Sequence, residues 1–291
     1  YLKAMSDPKE MSTDTLRQWL DTDKPVTILD IRTPTERAEW SIPGSVHLNA
    51  YDKLKAKNPN ALLGLHLDKD TPVVTVCAAG KTSLIAADML QQQGYDSYSL
   101  LGGMKNWSLS WNTASIVFPD FEIIQFRRTG KGCLSYMIVA DQEAMVVDAS
   151  LEIAVYLNII EERDLKLRYV TDTHVHADHL SRSKELAEKG NAPLYMPLPN
   201  ALTFPFQPVT ASTAFTLGNI VITTLPTPGH TIESVSYLVD QLALLTGDTL
   251  FTNGVGRPDL KADVSETLEK SKLLYHSLHH LLSLDENIIV L

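Results

Sequence analysis

The chain has few of the features that mark secreted, membrane-bound or nucleic-acid-binding proteins. Its 291 residues include only two cysteines, Cys77 and Cys133, which argues against a disulfide framework and favours a reducing cytoplasm. Lysine and arginine number 25 against 35 aspartates and glutamates, and the net charge of −10 argues against a nucleic-acid partner or an anionic membrane surface. No apolar run approaches the roughly 20 residues that span a bilayer. We therefore expect a globular, cytoplasmic protein.

Strand-like and helix-like segments alternate in the amino-terminal third of the chain. The apolar runs at 26–30 and 73–77 have the composition of buried strands, and the segment from about Thr82 to Gln93 has that of a helix. Such alternation predicts an α/β domain with a largely parallel sheet that is covered by helices on both faces. Catalytic groups of these sheets gather at the carboxyl ends of the strands, and Cys77 lies at one such end.

The alternation stops between Leu109 and Pro119, where polar residues and tryptophan interrupt the periodicity. We place the domain boundary there, which gives one domain at 1–110 and a second, beginning with hairpin-like strands, at 119–291. The chain begins without methionine and stops inside the apolar run 288–291. We therefore expect further residues beyond both ends.

The densest cluster of potential metal ligands is the segment 174–179, which reads His-Val-His-Ala-Asp-His and follows a strand-like run. Neutral imidazoles and carboxylates are the ligands that Zn, Fe and Mn sites use. Two further candidates, His230 and Asp248, also follow apolar runs, at turns rich in proline, threonine and glycine. Such turns present side chains on loops at the end of a sheet. Three motifs in equivalent places favour a metal site over a set of solvated histidines.

The spacing of these residues leaves two kinds of metal site open. His174, His230 and Asp248 would form a two-histidine, one-carboxylate face, which suits a mononuclear Fe(II) centre. If His176 joined them, and Asp178–His179 held a second ion that Asp248 bridges, the site would be that of a two-metal hydrolase.

Cys77 begins a loop, Cys-Ala-Ala-Gly-Lys-Thr-Ser, between a strand-like run and a helix-like segment. Backbone N–H groups and the positive end of a helix would stabilise a thiolate at this position. Gly80 and Lys81 in the turn favour a reactive cysteine, with its substrate bound at these two residues, over a buried structural one.

The second domain resembles the metallo-β-lactamase superfamily in three motifs: HxHxDH at 174–179, TPGHT at 227–231 and TGD at 246–248. The resemblance implies a four-layer αβ/βα sandwich from about residue 119 to the end. Within the superfamily the chain is most similar to the persulfide dioxygenase branch and more remotely to glyoxalase II. The supporting segments are 130–136, 177–181 and 254–260.

The persulfide dioxygenase resemblance implies one Fe(II) per chain, held by His174, His230 and Asp248. His176 and Asp178–His179 would then orient the ligands and tune bound water. The implied reaction is the oxidation of a low-molecular-weight persulfide, such as glutathione persulfide, by O2 to sulfite and free thiol.

Arg257 is the candidate in this domain for binding substrate. It could meet an acidic group of the persulfide, or it could fix the site through Asp259. An ordinary structural Arg–Asp pair behind the metal is an equally good interpretation.

The first domain resembles the rhodanese sulfurtransferases over nearly its full length. The resemblance implies that Cys77 accepts a sulfane sulfur as a persulfide and passes it to a nucleophile. Many rhodaneses carry arginines where this loop has Ala78 and Thr82, which argues against thiosulfate as the donor, since Lys81 is only a point charge. The matching landmarks are Asp30-Ile31-Arg32 with Glu36, Ile42-Pro43-Gly44-Ser45, and Leu101-Gly102-Gly103-Met104 with Trp107.

Together the two resemblances predict a rhodanese domain fused to a persulfide dioxygenase-like domain. The expected partners are a small thiol or persulfide and O2, and the chain could form a homo-oligomer. Two alternatives stay open. One is a zinc-dependent thioester hydrolase related to glyoxalase II, with a rhodanese partner domain. The other is a sulfur carrier in which Cys77 relays persulfide to a protein and the metal domain is vestigial.

Overall fold

The computed structural model divides into two compact units. One unit consists of residues 1–112 and 128–132, and the other of residues 113–127 and 133–291. No helix among the described residues is both long and apolar enough to cross a bilayer. The structure describes residues 9–130, 132–177, 180–197, 203–260 and 262–291.

The first unit is a five-stranded sheet in the order β1-β5-β4-β2-β3, and all of its strand pairs are parallel. The predicted parallel α/β domain is therefore confirmed. Its elements are β1 (Glu10–Met11), α1 (Thr13–Asp21), β2 (Thr27–Asp30), α2 (Pro34–Glu39), β3 (Val46–His47), α3 (Tyr51–Lys55), β4 (Val73–Val76), α4 (Lys81–Gln92), β5 (Ser97–Leu100) and α5 (Gly103–Trp107).

Alternate residues of the central strand β4 bury their side chains on opposite faces of this sheet. Val73 and Cys77 belong to one apolar cluster, and Val74 and Val76 belong to the cluster on the other face. This arrangement explains the continuous apolar run in the sequence, because a strand covered on both faces has no solvent side.

The second unit contains a seven-stranded and a five-stranded sheet, with the orders β12-β11-β10-β9-β8-β7-β6 and β13-β14-β15-β16-β19, and a short β17-β18 hairpin. The elements are β6 (Asn112–Val117), β7 (Glu122–Arg127), β8 (Leu134–Ala140), β9 (Glu143–Val147), α6 (Ile153–Glu162), β10 (Lys166–Thr171), α7 (Ser183–Lys189), β11 (Leu194–Pro197), β12 (Gln207–Val209), β13 (Ala214–Leu217), β14 (Ile220–Pro226), β15 (Val235–Val239), β16 (Ala243–Leu245), a 3-10 helix (Gly247–Thr249), β17 (Leu250–Phe251), β18 (Gly254–Val255), α8 (Val264–Leu282) and β19 (Ile289–Val290).

The two large sheets pack face to face. Ile138 and Met145 of the first sheet share one buried cluster with Ile222 and Tyr237 of the second. The layered sandwich predicted from the superfamily resemblance is thus confirmed.

The segment in which we expected the periodicity to break contains strand β6. Its side chains alternate between partly buried and exposed positions, as on an edge strand with one wet face. The alternation is hard to recognise in the sequence because the partly buried positions include Asn112 and Ala114, neither of which marks an apolar face.

Candidate metal centre and cysteine loop

The loops that follow β10, β14 and β16 bring His174, His230 and Asp248 together. One ligand atom from each lies within 4.8 Å of the others. Asp248 Oδ2 is 3.8 Å from His174 Nε2 and 3.5 Å from His230 Nε2. Both histidines are buried, whereas the Asp248 side chain is 39% exposed. The cluster is therefore closed behind the imidazoles and open beside the carboxylate.

The hydrogen bonds of His174 fix which ring nitrogen carries the proton. Nδ1 lies 2.9 Å from Thr173 Oγ1, and that hydroxyl donates its single hydrogen to Asp148 Oδ2 at 2.9 Å. The hydroxyl must therefore accept from Nδ1–H, which leaves the lone pair on Nε2 free. This lone-pair nitrogen is the one that faces Asp248.

His230 is fixed in the same way by a different group. Its Nδ1 lies 3.0 Å from the main-chain carbonyl oxygen of Arg257, which can only accept a hydrogen bond. Nδ1 therefore carries the proton and Nε2 has the free lone pair.

Burial lowers the pKa of His174 to about 4, and the neighbouring His176 contributes to the decrease. His174 is thus a neutral imidazole near neutral pH, which is the form that binds a metal ion.

The three groups fit a divalent transition-metal ion. Two donors that each lie about 2.1 Å from one ion are about 3–3.6 Å apart at ordinary bond angles, close to the two distances observed here. His174, His230 and Asp248 would hold such an ion by two imidazole Nε2 atoms and one carboxylate oxygen. Further coordination positions would face the open side.

His176 takes a different place from the three candidate ligands. Its Nε2 lies 2.9 Å from Asp148 Oδ1, and it groups with Asp148 and Asp172. Its ring centroid is 4.2 Å from that of His174. Asp148 therefore contacts His176 directly and supports His174 through the Thr173 hydroxyl. The orienting role of His176 stays a prediction. Asp178 and His179, predicted to act with it, lie outside the described residues.

Asp148 is a residue that our sequence analysis did not assign to the site. It accepts hydrogen bonds from the Thr173 N–H at 2.7 Å and the Thr173 hydroxyl, besides its contact with His176. Burial alone would raise the pKa of Asp148, but His176 and these donors hold it below its ordinary value. The signal was available, because Asp148 follows an apolar strand just as Asp248 does.

Asp172 was also missed. It is 1% exposed and accepts hydrogen bonds from the hydroxyls of Ser181 and Ser183. Burial, with a smaller contribution from the nearby Asp148, raises the pKa of Asp172 to about 6. Because its two partners lie beyond the candidate metal-binding loop, Asp172 ties the end of that loop to its beginning. Ser181 ends the segment 177–181 that supports the superfamily resemblance, whereas no sequence motif marks Ser183.

Arg257 approaches the site through its main chain. Its guanidinium pairs with Asp259 at 2.8 and 2.9 Å, and the two side chains are 63% and 50% exposed. The carbonyl contact with His230 is the link between this residue and the candidate ligands.

Cys77 follows β4 in the first unit and is 2% exposed. Its sulfur lies 3.3 Å from the hydroxyl of Ser83 and 3.4 Å from the N–H of the same residue. Its carbonyl accepts from the N–H of Met104 at 2.9 Å, so α5 holds the loop in place. A Cβ on Gly103 would lie 2.2 Å from that carbonyl oxygen, which is why the close approach requires glycine.

Gly80 and Lys81 form the junction between the loop and α4. Gly80 adopts a φ of +82° and precedes the helix, and Lys81 is the first helical residue, with an exposed side chain. The structure thus places both predicted substrate-binding residues at the edge of the cysteine loop.

Two family models match the chain. Residues 12–110 match the rhodanese-like domain, and residues 128–210 match the metallo-β-lactamase superfamily.

Three relatives match this chain at comparable identity. A hydroxyacylglutathione hydrolase of Methylobacillus flagellatus is 37% identical over 39% of this chain and 46% of its own length. The probable metallo-hydrolase YqgX of Bacillus subtilis is 31% identical over 54% of this chain and 82% of its own length. Persulfide dioxygenase ETHE1, mitochondrial, of Mus musculus is 31% identical over 51% of this chain and 58% of its own length. The chain spans about half the length of the first relative.

A solved structure supports the fold of the second unit. The metallo-β-lactamase from Staphylococcus aureus subsp. aureus COL superposes with a TM-score of 0.54 at 28% identity, over 59% of this chain and 55% of that one. With the extensive match to the Bacillus subtilis protein, this chain belongs to the metallo-β-lactamase superfamily and carries a rhodanese-like domain ahead of the metallo-β-lactamase domain.

Proposed function

We propose that the chain is an iron-dependent persulfide dioxygenase whose rhodanese-like domain handles the same sulfur through Cys77. The observation that carries the proposal is the convergence of two imidazole Nε2 atoms and one carboxylate oxygen at His174, His230 and Asp248. A two-histidine, one-carboxylate face leaves room for both O2 and a substrate sulfur. The relationship to the Mus musculus persulfide dioxygenase supports the choice of reaction.

The proposed reaction converts a persulfide, RSSH, with O2 and water into the thiol RSH, sulfite and two protons. When bound, Fe(II) would supply the redox chemistry by which O2 oxidises the outer sulfur of the persulfide. His174, His230 and Asp248 would hold the ion. Thr173 and the Arg257 carbonyl keep both imidazoles in the tautomer whose Nε2 is free.

The role proposed for Cys77 is sulfur transfer. Its thiolate attacks the outer sulfur of a persulfide donor, the S–S bond breaks, and the donor leaves as a thiolate. The sulfur then passes from Cys77 to a small thiol, which becomes a substrate for the metal centre. Because Ala78 and Thr82 replace arginines that would bind a dianion, we expect a persulfide rather than thiosulfate as donor.

A zinc-dependent thioester hydrolase is the second candidate function. The hydroxyacylglutathione hydrolase of Methylobacillus flagellatus, 37% identical, favours it. In that case Asp178–His179 would hold a second ion beside the first. Metal content separates the two functions, since a hydrolase of this kind would contain mainly zinc.

The deciding experiment measures oxygen uptake and sulfite release by iron-loaded protein supplied with glutathione persulfide. We expect one sulfite per O2, abolished in Asp248→Ala and retained in the control Asp120→Ala, which alters an exposed aspartate of the same unit. Thioester hydrolysis by a two-zinc protein, without oxygen uptake by protein verified to contain iron, would overturn the proposal.

A further inference from the structure

The sulfur of Cys77 is enclosed in an apolar cluster on one face of the first sheet, together with Leu29 and Ile31. A negative charge on a buried sulfur is unfavourable unless hydrogen-bond donors replace water. Ser83 provides two such donors, its N–H and its hydroxyl.

Ser83 is itself hydrogen-bonded to Ser99 of β5. Their hydroxyl oxygens are 2.9 Å apart, and Ser99 Oγ lies 3.3 Å from the carbonyl oxygen of Gly80. Both serines are 0% exposed. A continuous chain of hydrogen bonds therefore runs from the Cys77 sulfur through two buried hydroxyls to a main-chain carbonyl.

Ser99 donates to Ser83 Oγ, and the Gly80 carbonyl is a second acceptor within reach of the same hydroxyl. While Ser83 Oγ accepts from Ser99, its own single hydrogen is available to a thiolate at Cys77.

We propose that Ser99 is a positioning residue for the sulfur chemistry of Cys77, which acts through Ser83. By donating to Ser83 Oγ, it directs the single hydroxyl hydrogen of Ser83 at the sulfur when the sulfur is charged. Hydrogen bonds in a chain polarise one another, so the donation also strengthens the bond to the thiolate.

Charged side chains around the loop also influence the thiol, but they are the same in every serine variant and their effects cancel in a comparison. Those on the neighbouring elements and in the cleft beside Ala78 are Asp30, Arg32, Glu36, Glu39, Lys81 and Lys105.

The test is the pH dependence of Cys77 alkylation by iodoacetamide, followed on the Cys77 peptide by mass spectrometry. The midpoint gives the thiol pKa, and Cys133 in the same samples is an internal control. Ser83→Ala should raise the midpoint by about one pH unit or more, because it removes a hydroxyl donor to a charged group. Ser99→Ala should raise it by about a few tenths of a unit.

The double variant should show the midpoint of Ser83→Ala alone, since Ser99 acts only through Ser83. Ser97→Ala is the matched control. Ser97 lies two residues earlier on β5, is also 0% exposed, and donates to the Ala87 carbonyl at 2.7 Å. Its midpoint should equal that of the unaltered protein. Equal midpoints for Ser99→Ala and Ser97→Ala, or additive shifts in the double variant, would overturn the inference.

This inference rests on the sulfur-transfer role proposed for Cys77, yet the alkylation measurement does not depend on turnover. The expected midpoints, together with an absence of sulfur transfer from glutathione persulfide, would refute that role and support the hydrogen-bond chain. Sulfur transfer with unshifted midpoints would refute the chain and support the role.

Discussion

The Nδ1 atom of His230 lies 3.0 Å from the main-chain carbonyl oxygen of Arg257. The contact uses a group that every amino acid possesses, while the Arg257 side chain extends into solvent beside Asp259. The orientation of the candidate ligand and the charge of the guanidinium are therefore separable by mutation.

We predict that Arg257→Ala retains the metal content of the unaltered protein, because the carbonyl that orients His230 remains. If the guanidinium meets an acidic group of the persulfide, the KM should rise by about two- to tenfold, since the contact is exposed to solvent. Metal analysis and initial rates of oxygen uptake measure the two effects. Arg163→Ala, which removes another partly exposed ion pair, is the control. Loss of metal from Arg257→Ala would contradict the backbone role.

Asp148→Asn should weaken metal binding by about 10–100-fold, because the carboxylate supports both Thr173 and His176. We also expect a decrease of about 1–3 kcal/mol in the free energy of unfolding, since buried donors lose an acceptor. Chelator competition and urea unfolding of metal-free protein measure these changes. Thr173→Val should reproduce part of the loss of metal affinity. Thr173→Ser, which keeps the hydroxyl, should retain the affinity of the unaltered protein. Unchanged affinity in both Asp148→Asn and Thr173→Val would disprove the arrangement.

Because the Tyr136 side chain is buried, we expect the protein to lose stability in alkaline solution. Burial raises its pKa to about 12 from an ordinary value of 10. The folded state then holds its proton where the unfolded state releases it. The contribution of this proton to the free energy of unfolding is thus fully present below pH 10. It decreases by about 2–3 kcal/mol as the pH rises towards 12. Tyr136→Phe should reduce the slope of stability against pH in this interval. Tyr275→Phe, at a residue that is 60% exposed, should leave the slope unchanged.

The buried ion pair between Arg32 and Asp30 should dominate the charge contributions to the first unit. The side chains are 3% and 2% exposed, and the guanidinium also donates to the Trp40 carbonyl. We expect Arg32→Ala to lower the free energy of unfolding by about 3 kcal/mol, since a buried carboxylate loses its main partner and Arg37 compensates only in part. Lys9→Ala, which removes an exposed pair with Asp96, should cost less than about 1 kcal/mol. Similar urea midpoints for the two variants would contradict this assignment.

The sequence was informative wherever one residue type carries the chemistry. His174, His230 and Asp248 could be chosen because each follows an apolar strand, and the structure brings them together. Asp148 and Asp172 were missed because their importance lies in their partners. The hydroxyls that contact Asp172 come from the far end of the loop, and only the folded chain brings them to it. Similarly, Ser83 and Ser99 are 16 residues apart, and the packing of α4 against β5 makes them neighbours.

The enclosure of Cys77 has a consequence for the lifetime of this thiol. Progressive oxidation of cysteine to the sulfinic and sulfonic acids depends on contact between a thiolate and dissolved oxidants. At 2% exposure the residue has little such contact, even though Ser83 can stabilise its charge. The loop therefore protects this sulfur against irreversible damage, which suits a domain fused to the dioxygenase that we propose.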